Sequence, residues 1–578
     1  MDNASSPPRV ALSRPREDVR LTFPGGVVLS GPPGSTLDDF VRVWEHEAGL
    51  SSPPVTVALV DGRVEELSLE PCRDTAITPL DISTQEGMRA YRRALSLVLA
   101  VATSRLFPGA QVSIDHSITA NGLFCTMRNR PPLSPDEVHA LEQEMRGLVA
   151  ADLPIRRKQL ALSEAIAAFA AQGYQDKVRL LRFHRSPTVE VYELEGIIDG
   201  FYGPLATRTG PLQRFRLEPN EDGFILLLPL VEDPSRFPGE LRFPKLTEQF
   251  RQAARWLSSV GAEDAGSLNA AIERGSLREL VLIAEALHER GIADIAVSVA
   301  KRRDVRIVFI AGPTSSGKTT FAKRLGVQLA ASGVHSFAVG LDDYFLERDL
   351  TPRDESGEPD FEAFTAVDQA LFNDHMLRLL RGETVSMPRY DFVTGKRGQG
   401  QDVSLPDGTV LLVEGLHGLN PRLLPGAPKD ALYKVYVSCL SLLNIDHHNH
   451  IPTSDARLLR RIVRDARFRG YSAEATVLRW QSVRRGERRF VFPYQEEADV
   501  MFNSSLPYEI AVLKPLVEPL LLPFDHGSPA SVEVRRLLSI LALFLPADAD
   551  TVPDNSLLRE FVGGSILEQV QLAGAARP

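Results

Sequence analysis

Residues 306–321 read RIVFIAGPTSSGKTTF, and their reading decides the fold of the C-terminal part of the chain. A short apolar run, Ile307 to Ile310, ends in a glycine-rich loop, and a helical pattern starts at Lys318. Gly312, Pro313, Thr314, Ser315, Ser316, Gly317, Lys318 and Thr319, followed by Thr320, fit G-x-x-x-x-G-K-[ST] at every fixed position. Glycine lets the backbone curl so that successive N–H groups point at one spot. That spot sits at a helix N-terminus, where free N–H groups and the dipole favour an anion. Lys318 can reach the β- and γ-phosphates of ATP, and Thr319 can set a hydroxyl on Mg²⁺.

Working outward, apolar runs at 306–311, 336–341, 410–414, 434–438 and 500–503 predict strands. Helical patterns at 318–331, 368–381, 455–468 and 507–518 alternate with them, which predicts an α/β domain with a parallel sheet covered on both faces. Ligands bind at the carboxyl ends of such strands. Asp342, in LDDYF, ends the second strand and can accept a proton from an incoming hydroxyl; Asp343 orients its neighbours. Glu414, after VLLV, ends the third strand, the position from which a carboxylate holds Mg²⁺ directly or through water. Arg457, Arg460, Arg461 and Arg464 recur at i, i+3, i+4 and i+7, one helix face. Four guanidiniums there repel unless anions answer them, and a triphosphate fits the planar fork of arginine.

The chain has 578 residues, enough for about three to five domains. Hydrophobic content of 43% and charged content of 24% are those of globular protein. A net charge of −10 gives no global basic footprint for nucleic acid or anionic membrane. Cys72, Cys125 and Cys439 form no CxxC pair, which argues against a disulfide framework or cysteine zinc site and for a reducing compartment. Residues 1–18 are polar and proline-rich and predict a disordered leader. No stretch approaches the roughly 18 uninterrupted apolar residues of a membrane span. A cytoplasmic protein without membrane attachment is expected.

Between these ends, 19–81 shows short strands at 19–23, 26–30, 55–60 and 65–69 and a helix at 36–47. This element order resembles a TGS domain, a β-grasp module. Residues 82–235 open with a continuous Ala/Leu/Val helix at 85–106 and contain FPGAQVSIDHSITANGLFCTM and IIDGFYGPLATRTG. Together they resemble the second additional domain of threonyl-tRNA synthetases, also α+β. That resemblance implies a His-x-x-x-His and Cys-x-x-x-His site at positions that here are Arg93, Leu97, Phe201 and Leu205. Leucine and phenylalanine neither ligate a metal nor move a proton, so the module is expected to be degenerate. Residues 236–304 read as a helical connector, 305–545 as the phosphate-handling domain, and 546–578 as a C-terminal tail with a loose helix and a disordered end. His116 and His288 read as structural. His447, His448 and His450 read as loop residues in preference to a metal site, and Arg484, Arg485, Arg488 and Arg489 as an interdomain or subunit salt network in preference to an RNA contact.

GPTSSGKTT, LDDYF, PRYDFVTGKR, VLLVEGLHGLNP and RLLRRIVRDARFRG occur in the order seen in the uridine kinase/phosphoribulokinase group. The resemblance implies an ATP-dependent P-loop kinase domain, Mg²⁺ as cofactor, and roles residue by residue. Lys318, Asp342, Arg461 and Arg464 become catalytic, with Asp342 the general base. Residues 312–320 bind ATP. Tyr344, Glu362, Tyr390 and Arg469 become acceptor-binding, and Thr319 and Glu414 hold the metal. Glu362 stands where the pattern has an aspartate that grips the ribose hydroxyls, and two further departures matter more: Gly395 replaces a histidine that reads a pyrimidine, and Tyr471 replaces a substrate-side arginine. Phosphoryl transfer to a small hydroxyl acceptor, a nucleoside first, is therefore expected more firmly than uridine itself. The alternatives are an ATP-switched protein whose N-terminal modules grip tRNA or another RNA, and a sugar-phosphate kinase of phosphoribulokinase type. The sequence leaves homo-oligomerisation open.

Overall fold

The strand Ile307–Ala311 is buried along its whole length, which is why it reads as an unbroken apolar run and not as an alternating one. The structure is a computed structural model describing residues 17–47, 53–118, 121–239, 243–355, 357–392, 394–441, 443–525 and 527–569. All but two residues of the expected leader, and the end beyond 569, lie outside the described residues. Ile307–Ala311 is the middle strand of a five-stranded parallel sheet. The spatial order is Ser336–Gly340, Val410–Gly415, Ile307–Ala311, Leu432–Ser438, Val500–Asn503. Each strand lies within two residues of its expected place.

Alternate residues of the central strand feed two cores. Val308 and Ile310 pack with Phe321, Leu325 and Leu329 of the helix Lys318–Ala331, and with Ile292, Ile295 and Val299 of the helix Leu277–Lys301. Ile307 and Phe309 face Phe372, Met376 and Leu379 of the helix Gln369–Leu380. Burying each such side chain contributes about 1.5–3 kcal/mol. The helix Leu277–Lys301, expected in a connector, is thus part of the layer covering the sheet. The expected helix at 455–468 divides into Thr453–Arg464 and a π-type turn, Asp465–Arg469, stopped by Gly470 at φ 69°. A two-stranded hairpin, Val385–Asp391 with Lys396–Val403, was not anticipated.

At the N-terminal end, Val19–Thr22 pairs antiparallel with Val28–Gly31 and parallel with Thr75–Asp81, and Val55–Val60 and Arg63–Glu66 complete the sheet. Thr75–Asp81 is an additional strand. Leu37, Phe40 and Val41 of the helix Leu37–Glu47 fill its core. The next helix, Gln85–Leu106, is buried at every residue from Ala94 to Thr103, as its composition demands. It lies beside the antiparallel sheet Arg216–Asn220, Gly223–Leu227, Gly122–Arg128, Gln111–Ile118. Among the described residues no helix is long and apolar enough to cross a membrane.

The expected tail needs correction. Leu557, Leu558 and Phe561 are fully buried, and Lys323 Nζ donates to the Leu567 carbonyl at 3.0 Å. Leu557 packs with the helix Lys318–Ala331, and Leu558, Phe561 and Val562 pack in the core of the helix Thr453–Arg464, so 549–569 belongs to the packed structure.

Candidate active site

The parallel register sets Glu414 opposite both Ile310 and Gly340. The loop after Ala311, the turn Leu341–Tyr344 and the end of Val410–Gly415 therefore open on one edge of the sheet. A Cβ on Gly312 would lie 1.9 Å from the Val437 carbonyl oxygen, so only glycine lets the loop pass. Ser315 at φ 57° and Gly317 at φ 85° complete the curl into the helix Lys318–Ala331. The Ser315 and Ser316 hydroxyls are buried without a partner. Lys318 Nζ donates to the Pro313 carbonyl at 3.0 Å, closing the loop upon itself. Thr319 Oγ1 donates to Glu414 Oε1 at 3.0 Å. Thr320 is engaged elsewhere: its amide and its hydroxyl donate to Glu560 Oε2 at 3.1 and 3.0 Å. A carboxylate thus occupies the helix N-terminus, supplied by a segment that sequence reasoning dismissed.

Three carboxyl groups at this edge are pushed toward their neutral forms. Burial raises Asp342, against the pull of Lys318, Arg469 and Arg464. Burial and the charge of Asp342 push Glu414 up to about 7. Burial and Glu487 push Glu362 up to about 7, and one of its oxygens is buried without a partner. Asp343 accepts the Tyr390 amide at 3.2 Å and so holds the neighbouring chain. The Thr319 hydroxyl and the Glu414 carboxylate are hard oxygen donors beside Asp342, a set that fits Mg²⁺ completed by phosphate oxygens and water.

The four arginines of the helix Thr453–Arg464, expected from the family resemblance to close over the donor phosphates as a lid and called the lid helix below, do not act alike. Arg457 is buried, pairs with Glu487 and donates to the Thr314 carbonyl at 2.9 Å. Arg460 is fully buried, pairs with Glu509 and donates to the Ser504 carbonyl at 2.8 Å. Carboxylates from remote elements answer these two, so they brace the phosphate loop from behind. Arg461 reaches Thr314 Oγ1 at 3.3 Å, and Arg461 and Arg464 are both held by Asp465, at 3.1 and 2.9 Å.

On the other side of Asp342, Tyr344 is not a substrate contact. It is fully buried, its hydroxyl 3.2 Å from His375 Nδ1 and its ring edge-on to Phe372. The turn Leu341–Tyr344 brings its last side chain back under the sheet. Tyr390 packs edge-on against Phe345 and Phe392, and its hydroxyl is buried without a partner. Arg469 lies with its guanidinium 5.3 Å from the Phe392 ring centre and acts on Asp342. At Gly395 (φ 71°) a Cβ would stand 2.7 Å from Arg348 Nε. Arg348 donates to the Phe392 carbonyl at 2.7 Å and lies beside Tyr390, so a guanidinium fills the room that a side chain at 395 would take. Sequence reading missed Arg348. Tyr471 is exposed, under the guanidinium of Arg479.

In the preceding module, Leu97, Phe201 and Leu205 share one apolar core, and Arg93 donates to the Pro204 carbonyl at 2.8 and 3.0 Å. These four positions come together, and their side chains offer neither metal ligand nor base. His448 Nδ1 stands 2.6 Å from Asp199, the His447 amide donates to Asp176, and His450 is buried near Arg92. His116 stacks on Phe250 with ring centres 3.6 Å apart. Among the described residues no group of three or more His, Cys, Asp or Glu is arranged to hold a metal ion.

Residues 307–510 match the model of the Phosphoribulokinase / Uridine kinase family. The C-terminal region therefore has a P-loop kinase fold. The N-terminal part is similar to threonine–tRNA ligases. That of Nitratidesulfovibrio vulgaris is 32% identical over 156 residues, 27% of this chain and 24% of the ligase. That of Symbiobacterium thermophilum is 29% identical over 200 residues, 34% of this chain and 30% of the ligase. The chain thus matches about a quarter to under a third of the length of these relatives. Among solved structures, a possible uridine kinase from Bacillus stearothermophilus is 24% identical, covering 23% of this chain and 70% of that one at a TM-score of 0.20. A D-glycerate 3-kinase from Cryptococcus neoformans is 14% identical, covering 47% and 87% at 0.22.

Proposed function

We propose that the chain is a cytoplasmic ATP-dependent kinase that transfers the γ-phosphoryl group to a hydroxyl of a small acceptor, a nucleoside 5′-hydroxyl being the first candidate. The observation that carries this reading is the hydrogen bond from Thr319 to Glu414 beside Lys318 and Asp342, all at the carboxyl edge of one parallel sheet. The loop amides of 312–320, with Lys318, grip the donor phosphates. Thr319 and Glu414 would hold Mg²⁺, whose charge neutralises the β- and γ-oxygens. Asp342 takes the acceptor's proton as its oxygen attacks phosphorus in line and the bond to the ADP oxygen breaks. Burial raises the proton affinity of Asp342, which suits that task. Arg461 and Arg464, swung from Asp465, answer the charge spreading over the γ-phosphoryl oxygens. Glu362, Tyr390 and Arg469 grip the acceptor.

A second reading is a sugar phosphate as acceptor. It is favoured by Arg348 over Gly395 and by Arg469, two cations on the acceptor side. An ADP-release assay over nucleosides, sugar phosphates and pantothenate-like alcohols separates the two, with Lys318→Ala as the control. ADP released on adding RNA, and with none of the alcohols, would replace both readings with an RNA-responsive ATPase.

A further inference from the structure

A cavity of about 220 Å³ lies where the helix Gln85–Leu106 meets the lid helix Thr453–Arg464 and the following helix Ala473–Phe490. That is below the roughly 300–1,000 Å³ of pockets for drug-sized ligands, so its occupant is small. Five arginines line it, and the carboxylates around them are engaged by other arginines, except that Glu487 keeps one oxygen buried without a partner. Arg89 is answered by Glu86 and Glu533, and Arg457 by Glu487. Asp455 is held by both arms of Arg536 at 2.6 and 2.9 Å.

Arg92 and Arg484 have no carboxylate partner among the described residues. Arg92 donates to the Asn121 side-chain oxygen at 2.8 Å, and its Nε is buried with no partner. Arg484 donates to the Gln85 side-chain oxygen at 3.4 Å. Arg488 meets Glu232, itself 61% exposed, at 3.1 Å on the rim. Burial and the adjoining guanidiniums push Arg92 and Arg484 down to about 10. Like charges crowded in a poorly solvated space are unfavourable until an anion answers them. Guanidiniums take phosphate oxygens in a planar fork. Leu246, Phe250 and Phe492 supply an apolar wall to the same cavity, which suits a carbon body attached to the anion.

We infer that this cavity is a second ligand site, distinct from the phosphate loop, and that it takes a small phosphate monoester through Arg92, Arg484 and Arg488. The phosphate lies between the guanidiniums, and the organic part of the ester lies against the apolar wall.

Phenyl phosphate is the probe, titrated calorimetrically into the full chain while a non-hydrolysable ATP analogue with Mg²⁺ saturates the phosphate loop. One saturable site is expected, weakened about tenfold or more by Arg92→Gln or Arg484→Gln, the loss of one charge-assisted contact. Inorganic phosphate is expected to bind more weakly than phenyl phosphate. Absence of binding, or equal affinity in the parent and both variants, would overturn the site. Equal affinity for the two probes would overturn the monoester assignment. So would an RNA oligomer that binds through these arginines where phenyl phosphate does not. Arg488→Gln, on the more open rim, keeps the test decisive if a buried variant fails to fold, and the same weakening is expected of it.

Discussion

Asp342 stands two residues past the end of its strand, in a field set by Lys318, Arg469 and Arg464. Replacing it with asparagine keeps the shape and removes the proposed base. Asp342→Asn is expected to retain ATP binding and to lose about 10²–10⁴-fold in turnover, read from kcat beside a nucleotide titration. Unchanged turnover would take Asp342 out of the chemistry. Glu362 offers a different test, because its folded pKa of about 7 lies above the ordinary 4.5. Its contribution to stability is fully present below about 4.5 and is lost as the pH rises through about 7. The melting temperature of the ligand-free protein is therefore expected to fall across that window, and Glu362→Gln to flatten the fall. An equally steep profile in the variant would show that other groups govern it. Asp342 and Glu414 were legible as single residues, because each follows an apolar run at a strand end. Tyr344 misled for the reason that it follows Asp343 in a tight turn, where adjacent side chains diverge to opposite sides.

The lid helix separates two kinds of arginine that sequence spacing treats as one. Arg460 is fully buried against Glu509, whereas Arg464 is held, among the described residues, only by the adjacent Asp465. Arg460→Ala leaves a buried carboxylate unanswered and is expected to cost about 3–5 kcal/mol in denaturant unfolding. Arg464→Ala is expected to leave stability nearly intact and to raise KM for ATP more than KM for the acceptor. If only acceptor affinity changes, the lid assignment is wrong. The C-terminal segment carries a further test. Glu560 holds the Thr320 amide and hydroxyl, donors that a nucleotide phosphate competes for. Glu560→Gln weakens that hold, and nucleotide affinity is expected to rise several-fold by equilibrium titration. A fall in affinity would mean that Glu560 supports the loop. The elements themselves were largely legible. Strands buried on both faces announce themselves as apolar runs, and a glycine-rich loop fixes its own geometry. The hairpin Val385–Asp391 with Lys396–Val403 was not, since Pro388 interrupts one strand and the other is mostly exposed glycine and polar residues. Glu487, Glu509 and Glu560 sit far along the chain from the groups they answer, and no local pattern marks them.

At the scale of the molecule, the N-terminal modules and the lid meet through a buried charge cluster. Lys177, from the helix Gln175–Leu181, lies 2.8 Å from Asp199 and 2.8 Å from Asp446. Asp199 also holds His448, and Asp446 accepts the His448 and Asn449 amides in the turn that leads into the lid helix. Burial works against the charge on Asp199, yet Lys177 and His448 outweigh it and hold the carboxyl down at about 2. That contribution to stability is present above the ordinary carboxylate value and is lost only as the pH falls toward about 2. Because the cluster is enclosed, added salt screens it little. Lys177→Met removes one cation from two buried carboxylates, for which a loss of about 3–5 kcal/mol is the expected scale. The same turn sets where the lid helix begins, so the variant is also expected to raise KM for ATP several-fold without reducing kcat in proportion. Lys177→Met combined with Asp199→Asn removes one of the stranded charges and is expected to recover part of both effects. A single variant as stable as the parent would show the cluster to be dispensable. One that loses stability but keeps KM for ATP would show that the modules are joined to the lid without positioning it.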